Sequence, residues 1–333
     1  MSSPSIQDRM FNEIKSRLPA QVSLVDEIAV ALGVSTDSAY RRIRGEKVLS
    51  LEEGYTLCQR YGFSLDNLVN PVSNSYVFTG NFVKTESFSY KEFLTNIYQQ
   101  VKYMTGFENR ELIYLAKDIP LFHHFHTREL AAFKHYFWMR NILHHPDFAS
   151  KKFRVNDFPE DFYETGKKAL DCYNNLHTIE IWNIESINST IRQVEYYHDT
   201  NVFTSEEEIY HVYEAVGKLI DHLERQATSG YKFALDGNMN QRMGKYEMYF
   251  NEIVILENSL LAILNGTKTA FLVHNVINIL ITRDVAFCDN MYSYIQNLMK
   301  KSTLISNVSE RERTRFFKFL RQKIANRKQS LKV

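Results

Sequence analysis

Apolar residues recur at helical spacing through residues 1–70. Ile6, Met10, Ile14 and Leu18 share one face of a first helix. Ser23 is placed to cap a second over 24–32, with Leu24, Ile28, Ala29 and Leu32 as its buried stripe. Small Ala29 lets the next helix cross closely, and Gly33 ends the segment where a positive φ is needed. Ser35 then caps a helix over 36–44, anchored inward by Val34, Ala39 and Ile43 and closed by Gly45. Ser50 opens a fourth helix (51–61) that Gly62 terminates; Ser64 opens a short fifth turn, and Pro71 stops it.

The pattern changes beyond residue 70. PVSNSYVFTGN (71–81) is turn-rich and reads as a hinge. Phe93, Ile97, Val101 and Met104 mark a helix over 90–104, and ELIYLA reads as a short strand. Helices are expected at 128–144, 159–175, 183–198 and 205–228. From residue 246 three strand-like runs, YEMYFNEIVILEN, SLLAILNG and KTAFLVHN, are separated by Glu257–Asn258 and Asn265–Gly266. The second pair is a strong hairpin turn, so a three-stranded antiparallel meander is expected. It would be backed by a helix over 284–300, with Tyr249, Phe271, His274 and Asn275 facing any pocket between them. A basic helix (309–327) follows.

The stretch GVSTDSAYRRIRG followed by LSLEEGYTLCQRYGFSLDNL resembles the phage-repressor class of helix-turn-helix domains over about residues 5–70. That resemblance implies a five-helix bundle that binds operator double-stranded DNA, usually as a two-fold homodimer, with its third helix in the major groove. The family often carries a phosphate-gripping Gln near the start of the second helix; Val25 stands there instead. The DNA-binding set expected from position is Ser35, Thr36, Asp37, Ser38, Tyr40, Arg41, Arg42, Arg44 and Lys47. Asp37 can accept from a cytosine amine and Arg41 can pair with guanine, whereas Arg44 and Lys47 suit phosphates. Arg42 fits either role, or packs its stem along the bundle. Without the turn and the caps in register, the arginines would read as an ordinary solvated basic face. The stretch 116–138 also resembles a segment of bacterial regulators that share this head.

Composition narrows the remainder. The chain has 333 residues, a net charge of +1 and 23 Phe with 20 Tyr, which argues for filled cores or ligand cavities. Residues 1–70 hold eight Lys/Arg against nine Asp/Glu, so DNA-binding charge is local to one helix. Cys58, Cys172 and Cys288 are widely spaced and form no CxxC pair, which fits a reducing, cytoplasmic setting. Residues 1–20 mix charges among their apolar positions, so no secretory signal is expected there.

His123, His124 and His126, with His135, His144 and His145 downstream, are the only candidates for chemistry. They lack an HExxH or cysteine partners and read as core histidines. No catalytic residue, metal site or cofactor is expected. Residues 310–333 carry nine Lys/Arg against Glu310 and Glu312. Phe316, Phe317, Leu320 and Ile324 form an apolar face, so this is either a docked helix or a phosphate-contacting arm.

The expected architecture is mainly α: the five-helix head (1–70), a hinge (71–82), a helical body (83–230) and a small α+β unit with the basic helix (231–333). The expected function is that of a non-enzymatic bacterial transcription regulator. Its body would serve dimerisation and leaves open a small-molecule effector. The alternative is a DNA-tethered enzyme or protein-interaction platform.

Overall fold

A computed structural model describes residues 4–19, 21–69, 76–80, 82–237, 240–253 and 257–330. The chain is of the α+β class. Its first five helices are α1 (Ile6–Arg17), α2 (Leu24–Leu32), α3 (Thr36–Ile43), α4 (Leu51–Tyr61) and α5 (Leu65–Val69). They enclose their own core of Met10, Phe11, Ile14, Ile28, Ala29, Ala39, Leu57, Cys58, Phe63 and Leu68. Ser5, Ser23, Ser35 and Ser50 each cap a helix by accepting a backbone N–H three residues on. Gly33 ends α2 at φ 62°, a left-handed conformation that strains any residue carrying a Cβ. Val25 packs against this core.

The body is built on one seven-stranded mixed sheet of β1 (Arg110–Ala116), β2 (His177–Trp182), β3 (Tyr246–Phe250), β4 (Ser259–Leu264), β5 (Thr267–His274), β6 (Asn278–Thr282) and β7 (Thr303–Leu304). The order is β6-β5-β4-β1-β2-β3-β7, with β1, β2 and β3 mutually parallel and the other pairings antiparallel. Helices α6 (Tyr90–Thr105), α7 (Arg128–Phe137), α8 (Glu160–Asn174), α9 (Asn188–Asp199), α10 (Glu206–Ser229), α11 (Val285–Lys300) and α12 (Glu310–Ser330) complete it. Alternation along β1 assigns the layers. Ile113 and Leu115 join Ile179, Ile181, Leu261, Cys288, Met291 and Ile295 under α11. Leu112, Tyr114 and Ala116 face the larger core, which includes residues of α6, α7, α8, α9, α10 and α12.

The small antiparallel meander is part of this larger sheet. Only the β4–β5 hairpin forms as expected, its tip at Asn265 (φ 47°) and Gly266 (φ 85°). YEMYF does not pair with its neighbour but joins β2 in parallel, Thr178 opposite Tyr246. The boundary expected at 230/231 runs through the sheet, because β1 and β2 come from one side of it and β3 to β7 from the other. The helix expected over 128–144 stops at Phe137 and continues as a π-helical turn over Trp138–Ile142. β2, β6 and β7 lie where no strand was expected.

Of the expected hinge, 71–75 and 81 lie outside the described residues. Thr79 bridges Ile281 in both directions (2.8 and 2.7 Å), so this part of the segment lies along the sheet's β6 edge. The basic C-terminal helix is docked. Phe316, Phe317, Leu320 and Ile324 are buried, and Arg321 pairs with Asp221 and Glu224 of α10. Lys323 meets Glu185 and Arg327 meets Glu195. These ion pairs occupy charge that a phosphate-contacting arm would need free. Among the described residues, no helix is long and apolar enough to cross a membrane.

Candidate functional site

The first candidate surface is the outer face of α3. Ser35, Thr36, Asp37, Tyr40, Arg41, Arg44 and Lys47 are exposed, and together they form a polar, cationic face beside the α2–α3 turn. The inward side is fixed by Ala39, at the centre of the head core, and by Arg42. Arg42 therefore leaves the outward set: it is 3% exposed, with Nε and Nη2 donating to the two Glu53 carboxylate oxygens at 3.1 and 2.5 Å. Its Nη1 donates to the Ser38 carbonyl (3.0 Å) and hydroxyl (2.6 Å), which also commits half-buried Ser38. The hydrogen bond from Arg42 holds the Glu53 carboxyl below its ordinary range. Glu53 in turn accepts from the Ser50 amide, so one ion pair ties α3 to the start of α4.

Sequence reasoning missed Gln7. Its Nε2 donates to the carbonyls of Arg42 (2.7 Å) and Lys47 (2.9 Å), and its Oε1 accepts from the Leu49 amide (3.0 Å). This amide from α1 clamps the loop that follows α3. Glu46 lies 3.9 Å from Arg41 and 3.3 Å from Arg44, with all three side chains about half exposed, and partly neutralises the cationic face. Arg44 also lies over the Tyr40 ring at 5.6 Å.

The second candidate is a cavity of about 540 Å³ in the body. It opens at the C-terminal ends of parallel β1 and β2, the edge of such sheets where ligands bind. Its walls come from α6 (Phe93, Ile97, Val101), β1 (Leu112, Tyr114), Trp138 and the β5–β6 region. Of the four residues expected to face a pocket, Phe271 lines this cavity and Tyr249, His274 and Asn275 do not. The expected location between sheet and helix 284–300 is instead filled by the packed α11 core.

Its polar groups are mostly engaged. Asp118 pairs with Lys134 (3.1 Å), which also donates to Gln193 (3.0 Å); Ser186 Oγ donates to the Ala116 carbonyl (2.5 Å); Glu185 holds Lys323. The exceptions among the described residues include the half-buried amide of Gln100, the exposed Lys117 and Arg192, and the Nε2 of buried His124, which has no hydrogen-bond partner.

The remaining histidines divide by environment. His123 lies 2.8 Å from Glu180, a fully buried carboxylate in the middle of β2 that also accepts from Tyr173, Trp182 Nε1 (2.6 Å) and Tyr246 (2.9 Å). Burial alone would raise the Glu180 carboxyl, but His123 and these donors outweigh it and hold it at about 2. Lys232 is buried beside the group, donating to the Tyr173 carbonyl at 2.6 Å, and burial holds its ammonium well below the usual lysine range. His126 stacks on His123 and meets the His222 ring at 4.6 Å. His135 packs against Tyr90, Phe148, Phe158 and Phe162. Burial pushes His124 and His126 well below their ordinary value, and pushes His135 and His222 down to about 3. The network is enclosed and makes a polar core.

The chain matches no family model, no curated protein and no solved structure.

Proposed function

We propose that this chain is a sequence-specific DNA-binding regulator of transcription, not an enzyme. Its N-terminal helices form a repressor-like bundle that reads operator DNA with α3. The observation that carries the reading is the division of α3 into two faces. One is locked inward by Ala39 and the Arg42–Glu53 pair, leaving Thr36, Asp37, Tyr40, Arg41 and Arg44 outward on a rigid helix after a left-handed Gly33 turn. A braced helix presenting donors, an acceptor and cations from its first turns is the form that meets base edges in a major groove. The exposed Lys47 continues the cationic edge towards the phosphates.

The head's near-balanced charge makes a single head a weak binder, so binding as a homodimer to paired half-sites belongs to the proposal. The body holds the heads in position and carries the effector cavity. One structural link is available: α6 lines the cavity, and from the same helix Tyr103 donates to the Arg17 carbonyl at the end of α1. Arg17 itself donates to the Tyr61 and Gly62 carbonyls (2.9 and 3.0 Å) at the end of α4.

Selection from a random-sequence duplex library by the full-length protein tests the reading. Enrichment of a two-fold symmetric motif is the expected outcome. Recovery of unenriched sequence at physiological salt would contradict it.

A further inference from the structure

The body cavity has a chemical character of its own. Its walls are mainly hydrocarbon and aromatic, including Phe93, Ile97, Trp138 and Phe271. Most polar groups at its rim already satisfy one another, as the Asp118–Lys134–Gln193 chain does. Beside the half-buried amide of Gln100, two kinds of group remain for a guest. Lys117 and Arg192 sit exposed on the lining and make no ion pair among the described residues, which leaves the mouth with uncompensated positive charge. His124 lines the interior at 4% exposure with Nε2 unpartnered. Burial, reinforced by Lys134 and His123, keeps the ring neutral, and its one N–H donates to the Ile119 backbone. Nε2 is then a bare acceptor, and a buried acceptor left without a donor is destabilising.

We infer that this cavity binds an amphipathic organic acid, with its carboxylate at Lys117 and Arg192, its apolar body against the Trp138 side, and a hydroxyl or amide N–H donating to His124 Nε2. The volume suits one small molecule of this kind. A cationic amphiphile would meet like charge at the mouth, and a plain hydrocarbon would leave both polar sites unused. The inference deepens the regulator reading by naming the class of effector. It is tested without DNA, so either can fail alone.

The full-length protein is titrated with decanoate, a set of hydroxydecanoate positional isomers, phenylbutyrate and decyltrimethylammonium. Calorimetry and Trp138 fluorescence follow binding; Trp182, the other tryptophan, lies outside the cavity. Decanoate or phenylbutyrate should bind about tenfold more tightly than the ammonium compound, the two acids distinguishing an aliphatic from an aromatic guest. The exposed double variant Lys117→Glu/Arg192→Glu should invert that order. At least one hydroxy isomer should exceed decanoate, and His124→Leu should abolish its advantage while leaving decanoate bound. Absence of saturable binding by either acid, or equal binding of acid and cation, would overturn the inference. An isomer series with no preference in the wild-type chain would remove the His124 contact from it.

Discussion

Acid should weaken the body steeply in a range where most proteins of neutral charge balance are steady. His124, His126, His135 and His222 are each buried, and burial depresses every one of them, His135 and His222 to about 3. In the unfolded chain they return to the ordinary histidine value of about 6.5. A base depressed in this way favours folding fully above about pH 6.5, and that stability drains away as pH falls towards the folded pKa, because only the unfolded state takes up the proton. Between about pH 7.5 and about pH 5.5 each such histidine forfeits a little over ~1 kcal/mol. Four together forfeit on the order of 5 kcal/mol, comparable with the whole stability of an ordinary domain. Depressed carboxylates such as Glu180 add their own loss only below about pH 4.5, outside this window. Urea unfolding followed by circular dichroism at the two pH values measures the difference. His135→Phe, placed among Tyr90, Phe158 and Phe162, should remove about a quarter of it. Stability that is flat or rises on going to about pH 5.5 would show that these rings are not held neutral in a dry core.

Three further outcomes follow from single contacts. Arg42→Ala should lower head stability by about 3 kcal/mol, read by hydrogen exchange of the α3 and α4 amides, because Glu53 and the Ser38 carbonyl lose their guanidinium donors together. Gly166→Ala should destabilise the body by about 2 kcal/mol in thermal unfolding, since a Cβ there would stand 2.0 Å from the Phe125 ring of a filled core. Glu46→Gln should tighten binding to duplexes of any sequence and steepen the salt dependence, because it frees Arg41 and Arg44.

What could be read in advance was what the chain encodes locally. The Ser23, Ser35 and Ser50 caps, the Gly33 and Gly62 ends and the Asn265–Gly266 tip need only neighbours within a few residues, and each is where periodicity put it. Arg42 could not be assigned from its neighbours. Its direction depends on Glu53, which arrives from the next helix. β2 was hidden because Glu180 looks like a solvent position inside HTIEIW; its donors Tyr173, Trp182, Tyr246 and His123 come from both sides of it in sequence. YEMYF carries strand character, but its parallel partner lies far upstream, and a hairpin is the only pairing that local spacing can suggest. The cavity is more remote still, because its walls combine α6, β1, the π-helical turn, α9 and the β5–β6 region. Phe271, expected to look towards helix 284–300, lines the cavity from the opposite face of the sheet, where it joins the larger core.

The most direct test of DNA reading by α3 compares Arg41→Ala and Lys47→Ala across a salt series, on a selected duplex and on a scrambled one. Both residues are exposed and neither holds the head together, so loss of fold does not confuse the comparison. Arg41→Ala is expected to cost about 1–3 kcal/mol on the selected duplex and little on the scrambled one, which collapses the preference. Lys47→Ala is expected to weaken both duplexes alike and to reduce the salt slope by about one. Equal, small effects of the two substitutions on both duplexes would contradict a DNA-reading role for this face.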